Sequence, residues 1–128
     1  MTLEQVNRFA DEWIEAWNSH NLERILAHYS DDFVMSSPRI AQIAGEPSGI
    51  LQGKAAVAAY WSKALQMLPD LKFRLIGTFS AADSLAIHYE GTSGFVVEVF
   101  FFDAAGLVCR AAAHYSHSIV AGGLPEMS

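Results

Sequence analysis

A second cysteine is missing from this 128-residue chain, and with Cys109 alone no intramolecular disulfide can close and a thiolate-held metal lacks its second sulfur. A reducing compartment suits such a sequence, so the expected location is the cytoplasm. Positive charge is scarce as well. Eight Lys and Arg stand against fourteen Asp and Glu, a net charge of −6, which repels phosphate backbones and anionic membranes and leaves no basic stripe for nucleic acid. No run approaches the roughly eighteen apolar residues of a membrane span, and Met1-Thr2-Leu3-Glu4-Gln5 is polar and acidic where a signal peptide is basic and then apolar. Ser-His-Asp order, a glycine-rich phosphate loop and a metal-ligand cluster are all absent, which leaves acyl transfer from a nucleophile elbow, nucleotide binding and metal hydrolysis without a motif. His114 and His117, three apart on one strand, fall on opposite faces and make no zinc pair. Neither a metal nor a cofactor is expected.

What the chain has is apolar mass. With 52% hydrophobic and 17% charged residues it suits one domain with a dense core, expected over residues 1–120, followed by a tail over 121–128 whose glycines and proline should fray. Thr2 with Gln5 forms a capping box, after which Leu3, Val6, Phe9, Ala10, Trp13, Ile14 and Trp17 recur at helical spacing. Asn21 caps a second, shorter helix carrying Leu22, Ile25, Leu26 and Tyr29 on one face. A short strand over 33–37 ends at Pro38, and the stretch from Arg39 to Gln52 reads as a long loop, a lid or pocket rim. A third helix runs from Gly53 to about Leu68. Four strands complete the chain, over 71–80, 84–91, 95–103 and 107–119, joined by short turns into an antiparallel meander.

Glu98 is the one charge inside Phe95-Val96-Val97-Glu98-Val99-Phe100-Phe101-Phe102. A carboxylate in so apolar a strand is paired, protonated or facing a cavity, because a dry ionised acid costs several kcal/mol. Two roles are open to it, an interface carboxylate and a pocket acid whose raised pKa lets it exchange protons near neutral pH. His88 and Glu90 share one face of the preceding strand, and a three-residue Thr92-Ser93-Gly94 loop sets His88 opposite Glu98, whereas a two- or four-residue turn sends the two to opposite faces. The candidate acid-base residues are therefore Glu98, His88 and Glu90. Because the Phe95 strand is apolar on both faces, the outer face of the sheet needs a cover, and a second copy of the chain is the simplest one. The aromatic residues at helical spacing are most economically core.

Tyr29-Ser30-Asp31-Asp32-Phe33 after the second helix, Gly53-Lys54 opening the third and Phe102-Asp103-Ala104-Ala105-Gly106-Leu107-Val108 at the last hairpin carry a family resemblance, as does the order of the elements. Over about residues 3 to 119 the chain resembles the SnoaL-like branch of the nuclear transport factor 2-like superfamily. The resemblance implies an α+β fold, a cone-shaped curved antiparallel β-sheet wrapped around three N-terminal helices. It also implies that Trp13, Tyr29, Trp61 and Tyr115 point into the cone with Ser37, making a pocket for a small hydrophobic, oxygenated molecule. Against the ketosteroid isomerases of that superfamily, Ser37 stands where the catalytic aspartate belongs, Trp13 where a phenol belongs, and Glu98 where the acid of the oxyanion hole belongs. The catalytic set of limonene epoxide hydrolases falls near Glu90, Thr92 and Ala113 and is absent too. The function to expect is thus ligand binding in an aromatic cone, with cofactor-free isomerase, cyclase or lyase chemistry or, alternatively, a non-catalytic ligand-binding or dimeric interaction module.

Overall fold

Thr2 begins the first helix as its residue types require: its hydroxyl accepts from the Gln5 N–H at 3.1 Å while the Gln5 side chain accepts from the Thr2 N–H at 2.8 Å. Helix α1 (Leu3–Asn18) then buries Val6, Ala10, Trp13, Ile14 and Trp17 along one stripe. Asn21 accepts from the Arg24 N–H at 3.2 Å and caps α2 (Leu22–Leu26). The computed structural model describes residues 1–117; the expected tail over 121–128 and the expected end of the last strand at Ile119 lie outside them.

The second helix is shorter than its apolar spacing suggests. Tyr29 opens strand β1 (Tyr29–Ser36) instead of closing α2, because the His28 carbonyl accepts from the Val108 N–H at 2.8 Å and draws the backbone into the sheet. The expected lid loop is also absent. Ser37 caps a further helix, α3 (Pro38–Ala44), by accepting from the Arg39 N–H, Pro38 stands in its first turn where a missing N–H costs nothing, and Gly45 ends it at φ 75°. Strand β2 (Ile50–Gln52) follows and pairs with β1, so the stretch read as a long loop is a helix and a strand. Helix α4 (Lys54–Met67) comes next, then β3 (Arg74–Ser80), β4 (Ser84–Gly91), β5 (Gly94–Phe102) and β6 (Val108–Tyr115).

The six strands form one curved open sheet in the order β2-β1-β6-β5-β4-β3. The α+β class and the cone expected from the resemblance stand, with two amendments: there are four helices among the described residues, and β1 runs parallel to β6 while the other pairs are antiparallel. The helices lie on the inner face and bury Phe33, Leu85, Ile87, Phe100 and Val108 of the sheet with Trp13 of α1. Burying each of the larger of these side chains contributes roughly 1.5–3 kcal/mol. On the outer face Phe79 and Phe95 remain 62% and 45% exposed. No helix of the described residues is long and apolar enough to cross a membrane.

Candidate functional site

The β4–β5 turn decides what faces the inner side. Gly91 pairs with Gly94, leaving Thr92-Ser93 as a two-residue turn, and Gly94 takes φ 129°, a conformation only glycine adopts without strain. Every register position on β4 follows from that. Glu98 is opposite Ile87, and His88 is opposite Val97, so the expected His88–Glu98 pair does not form. His88 lies on the outer face with its ring edge-on to Phe95, the centroids 5.9 Å apart. Glu90 is on that face too and holds Arg74 at 3.0 Å. Neither reaches Glu98.

Tyr89 does. Its hydroxyl donates to Glu98 Oε1 at 3.0 Å, across the diagonal that the two-residue turn creates. Glu98 is 4% exposed, and burial lifts its carboxyl to about 7, with the Tyr89 hydrogen bond offsetting part of the rise. Burial also holds the Tyr89 phenol well above the usual tyrosine range, and the neighbouring Glu98 adds to it. At neutral pH the pair is therefore a carboxyl divided between its two protonation states and a phenol that stays protonated. The cross-strand partner of Glu98 on β6 is Ala113, whose small side chain leaves the carboxyl room beside it.

Glu98 faces a cavity of about 60 Å³. Trp13 and Trp17 of α1, Tyr60 and Trp61 of α4, Tyr89, Phe73 and Tyr115 supply aromatic walls; Ser37 and Arg39 supply polar ones. Of the sequence-derived ligand residues, Trp13, Ser37, Trp61 and Tyr115 line this space. Tyr29 does not: its hydroxyl accepts from Trp13 Nε1–H at 2.9 Å, and its ring packs on Phe33 and Trp61, so it fixes the wall from behind. Ser37 is partly committed, since its Oγ accepts from the Arg39 N–H and leaves its own O–H and one lone pair to the cavity. Burial raises the Tyr60 and Tyr115 hydroxyls, and Arg39 opposes the rise at both.

Thr92 and Ser93 are the exposed members of the lining, and they mark where the cavity reaches solvent. Arg39 spans this mouth. Its Nη1 donates to Thr92 Oγ1 at 3.3 Å, its Nη2 donates to Ser93 Oγ, and its guanidinium lies 5.1 Å from the centre of the Tyr115 ring. Two buried N–H groups of the lining, Trp17 Nε1 and Arg39 Nε, have no hydrogen-bond partner among the described residues. Sequence reasoning overlooked Tyr89 and Arg39. The alternation Leu85, Ile87, Tyr89 on β4 carried the signal for the first, and the Ser37-Pro38 helix start carried it for the second.

A curved sheet closing on helices around a buried acid and an aromatic cavity defines the cone fold of the NTF2-like, cystatin-like class. Residues 10–117 match the SnoaL-like domain, and the chain belongs to the SnoaL-like family. It is similar to a SnoaL-like protein of unknown function from Burkholderia thailandensis E264, with 53% identity over 90% of this chain and 97% of that one and a TM-score of 0.86. Its fold is shared by a cystatin-like protein of unknown function from Methylobium petroleophilum PM1, 19% identical over 98% of this chain and 86% of that one, at a TM-score of 0.70. An NTF2-like protein of unknown function from Cytophaga hutchinsonii ATCC 33406 is 13% identical over 87% of this chain and 89% of that one, at 0.63. No curated protein matches the chain.

Proposed function

We propose that the cone binds a small, hydrophobic, oxygen-bearing molecule and that Glu98 exchanges a proton with it, in a cofactor-free isomerase, cyclase or lyase reaction. The supporting observation is a carboxyl lifted to about 7 at the wall of a cavity, where it can serve as base or acid at neutral pH. Tyr89 holds one carboxyl oxygen and leaves the other for the ligand. The ketosteroid isomerase arrangement is not reproduced, because Ser37 cannot take a proton from carbon unaided. Glu98 would thus act as the base itself. The reading is tested by incubating the protein with cyclohexanone in D2O and following loss of the α-proton signals by NMR. Wild-type protein should accelerate exchange over Glu98→Gln, and equal rates would remove the acid-base role.

A second reading, a dimeric module without chemistry, draws support from the outer sheet face, where Phe95 and Phe79 stand exposed beside Val97, Val99 and Phe101. A second copy seated there would cover them, in either reading. With Cys109 unpaired, the cytoplasm is the compartment we assign.

A further inference from the structure

Arg39 is half-buried at the cavity mouth, yet no ion pair holds it among the described residues. Among the described residues the only hydrogen-bond partners of its side chain are the neutral hydroxyls of Thr92 and Ser93, both exposed, and its buried Nε–H has none. Glu98, the acid that shares the cavity, is half protonated at neutral pH and so a poor counter-ion. A guanidinium presents a planar fork that suits two carboxylate oxygens better than two separate hydroxyls. Trp17, 6% exposed, adds a second orphaned N–H donor to the same lining, so among the described residues the cavity holds two buried donors that no protein acceptor fills.

We propose that the natural ligand is a small carboxylic acid, whose carboxylate is held by Arg39 at the mouth while its apolar part lies among the aromatic walls. This rests on the cone being a ligand cavity, as proposed above. Size argues the same way. A cavity of about 60 Å³ is under half of the ~150 Å³ that admits benzene in an apolar protein core, so a larger ligand enters only as Arg39 leaves Thr92 and Ser93. A carboxylate provides the replacement partner that makes this exchange favourable, and a neutral ligand of the same shape does not. Arg39 is on this account both the anion receptor and the closure of the site.

The experiment compares matched acids and amides, butyrate with butyramide and benzoate with benzamide, by saturation-transfer NMR titration against wild-type protein, Arg39→Gln and Arg39→Lys. Wild-type protein should prefer each acid by about tenfold or more, the scale of a charge-assisted pair. Arg39→Gln should erase the preference at unchanged melting temperature, and Arg39→Lys should keep part of it by retaining charge without the fork. Acid and amide binding equally well to the wild type, or a preference that survives in Arg39→Gln, overturns the carboxylate assignment and leaves the cavity reading standing. Failure of all four probes to bind overturns both.

Discussion

Replacing Glu98 by Gln should stabilise this protein, and only above mildly acidic pH. The carboxyl rises from an ordinary 4.5 to about 7 on folding, so between those values the native state binds more proton than the unfolded chain. Stability therefore falls as pH rises through that window and levels off above it. At about 1.4 kcal/mol for each pH unit, the full loss comes to about 3 kcal/mol. Glutamine has the shape of the protonated acid, can still accept from Tyr89, and does not titrate. Wild type and Glu98→Gln should match near pH 4 and diverge by up to about 3 kcal/mol at pH 8, with the variant more stable. His28, which burial pushes below its usual value, shifts both proteins alike and drops out of the difference. Urea denaturation at a series of pH values, followed by the fluorescence of buried Trp13, Trp17 and Trp61, measures it directly. Parallel stability curves for the two proteins would refute the raised carboxyl and with it the basis for acid-base chemistry here.

Other consequences are as concrete. Tyr89→Phe removes the one hydrogen bond that lowers the Glu98 carboxyl, so its titration, followed by carboxyl infrared absorption, should move further upward; an unmoved midpoint would show that Tyr89 does not hold it. Ser37→Ala deletes the cap of α3 and should cost about 1 kcal/mol in thermal unfolding, with no loss expected if Pro38 alone starts that helix. Phe95→Lys, on the outer face, should leave the fold intact and turn the proposed dimer into a monomer in sedimentation velocity; an unchanged sedimentation coefficient would remove this face as the dimer contact.

The helix starts and the odd charge were legible because each is written locally. Thr2 with Gln5, and Asn21 ahead of Leu22, need no knowledge of the rest of the chain to be read as caps. Glu98 was conspicuous for a similar reason, as one acid among apolar neighbours. Its partner was not, because strand faces alternate with period two and one residue in the count of the Thr92-Ser93 turn exchanges His88 for Tyr89. Gly94, read as part of the loop, belongs to the strand. At Pro38 the local signal was present but ambiguous, since proline both ends strands and begins helices; Ile40 and Ile43 at helical spacing and Gly45 beyond them settle it for α3. Arg39 was thereby taken for a loop residue when a helix fixes it over the cavity. The parallel pairing of β1 with β6 has no local signature at all.

That pairing also imposes a timetable. Tyr29 and Met35 of β1 find their sheet partners on β6, at Val108 and Ala111, about eighty residues later in the chain. At the ~5–20 residues per second of protein synthesis, β1 waits several seconds for β6 to be made, with β2 the only strand able to join it sooner. Through much of that interval the aromatic stripe of α1 waits as well, because Phe73, Tyr89 and Phe100, on which Trp13 packs, are themselves made late. The nascent chain thus shows its tryptophans to chaperones before it shows a cavity to any ligand, and the long span between the two strands makes the closing step the slow one.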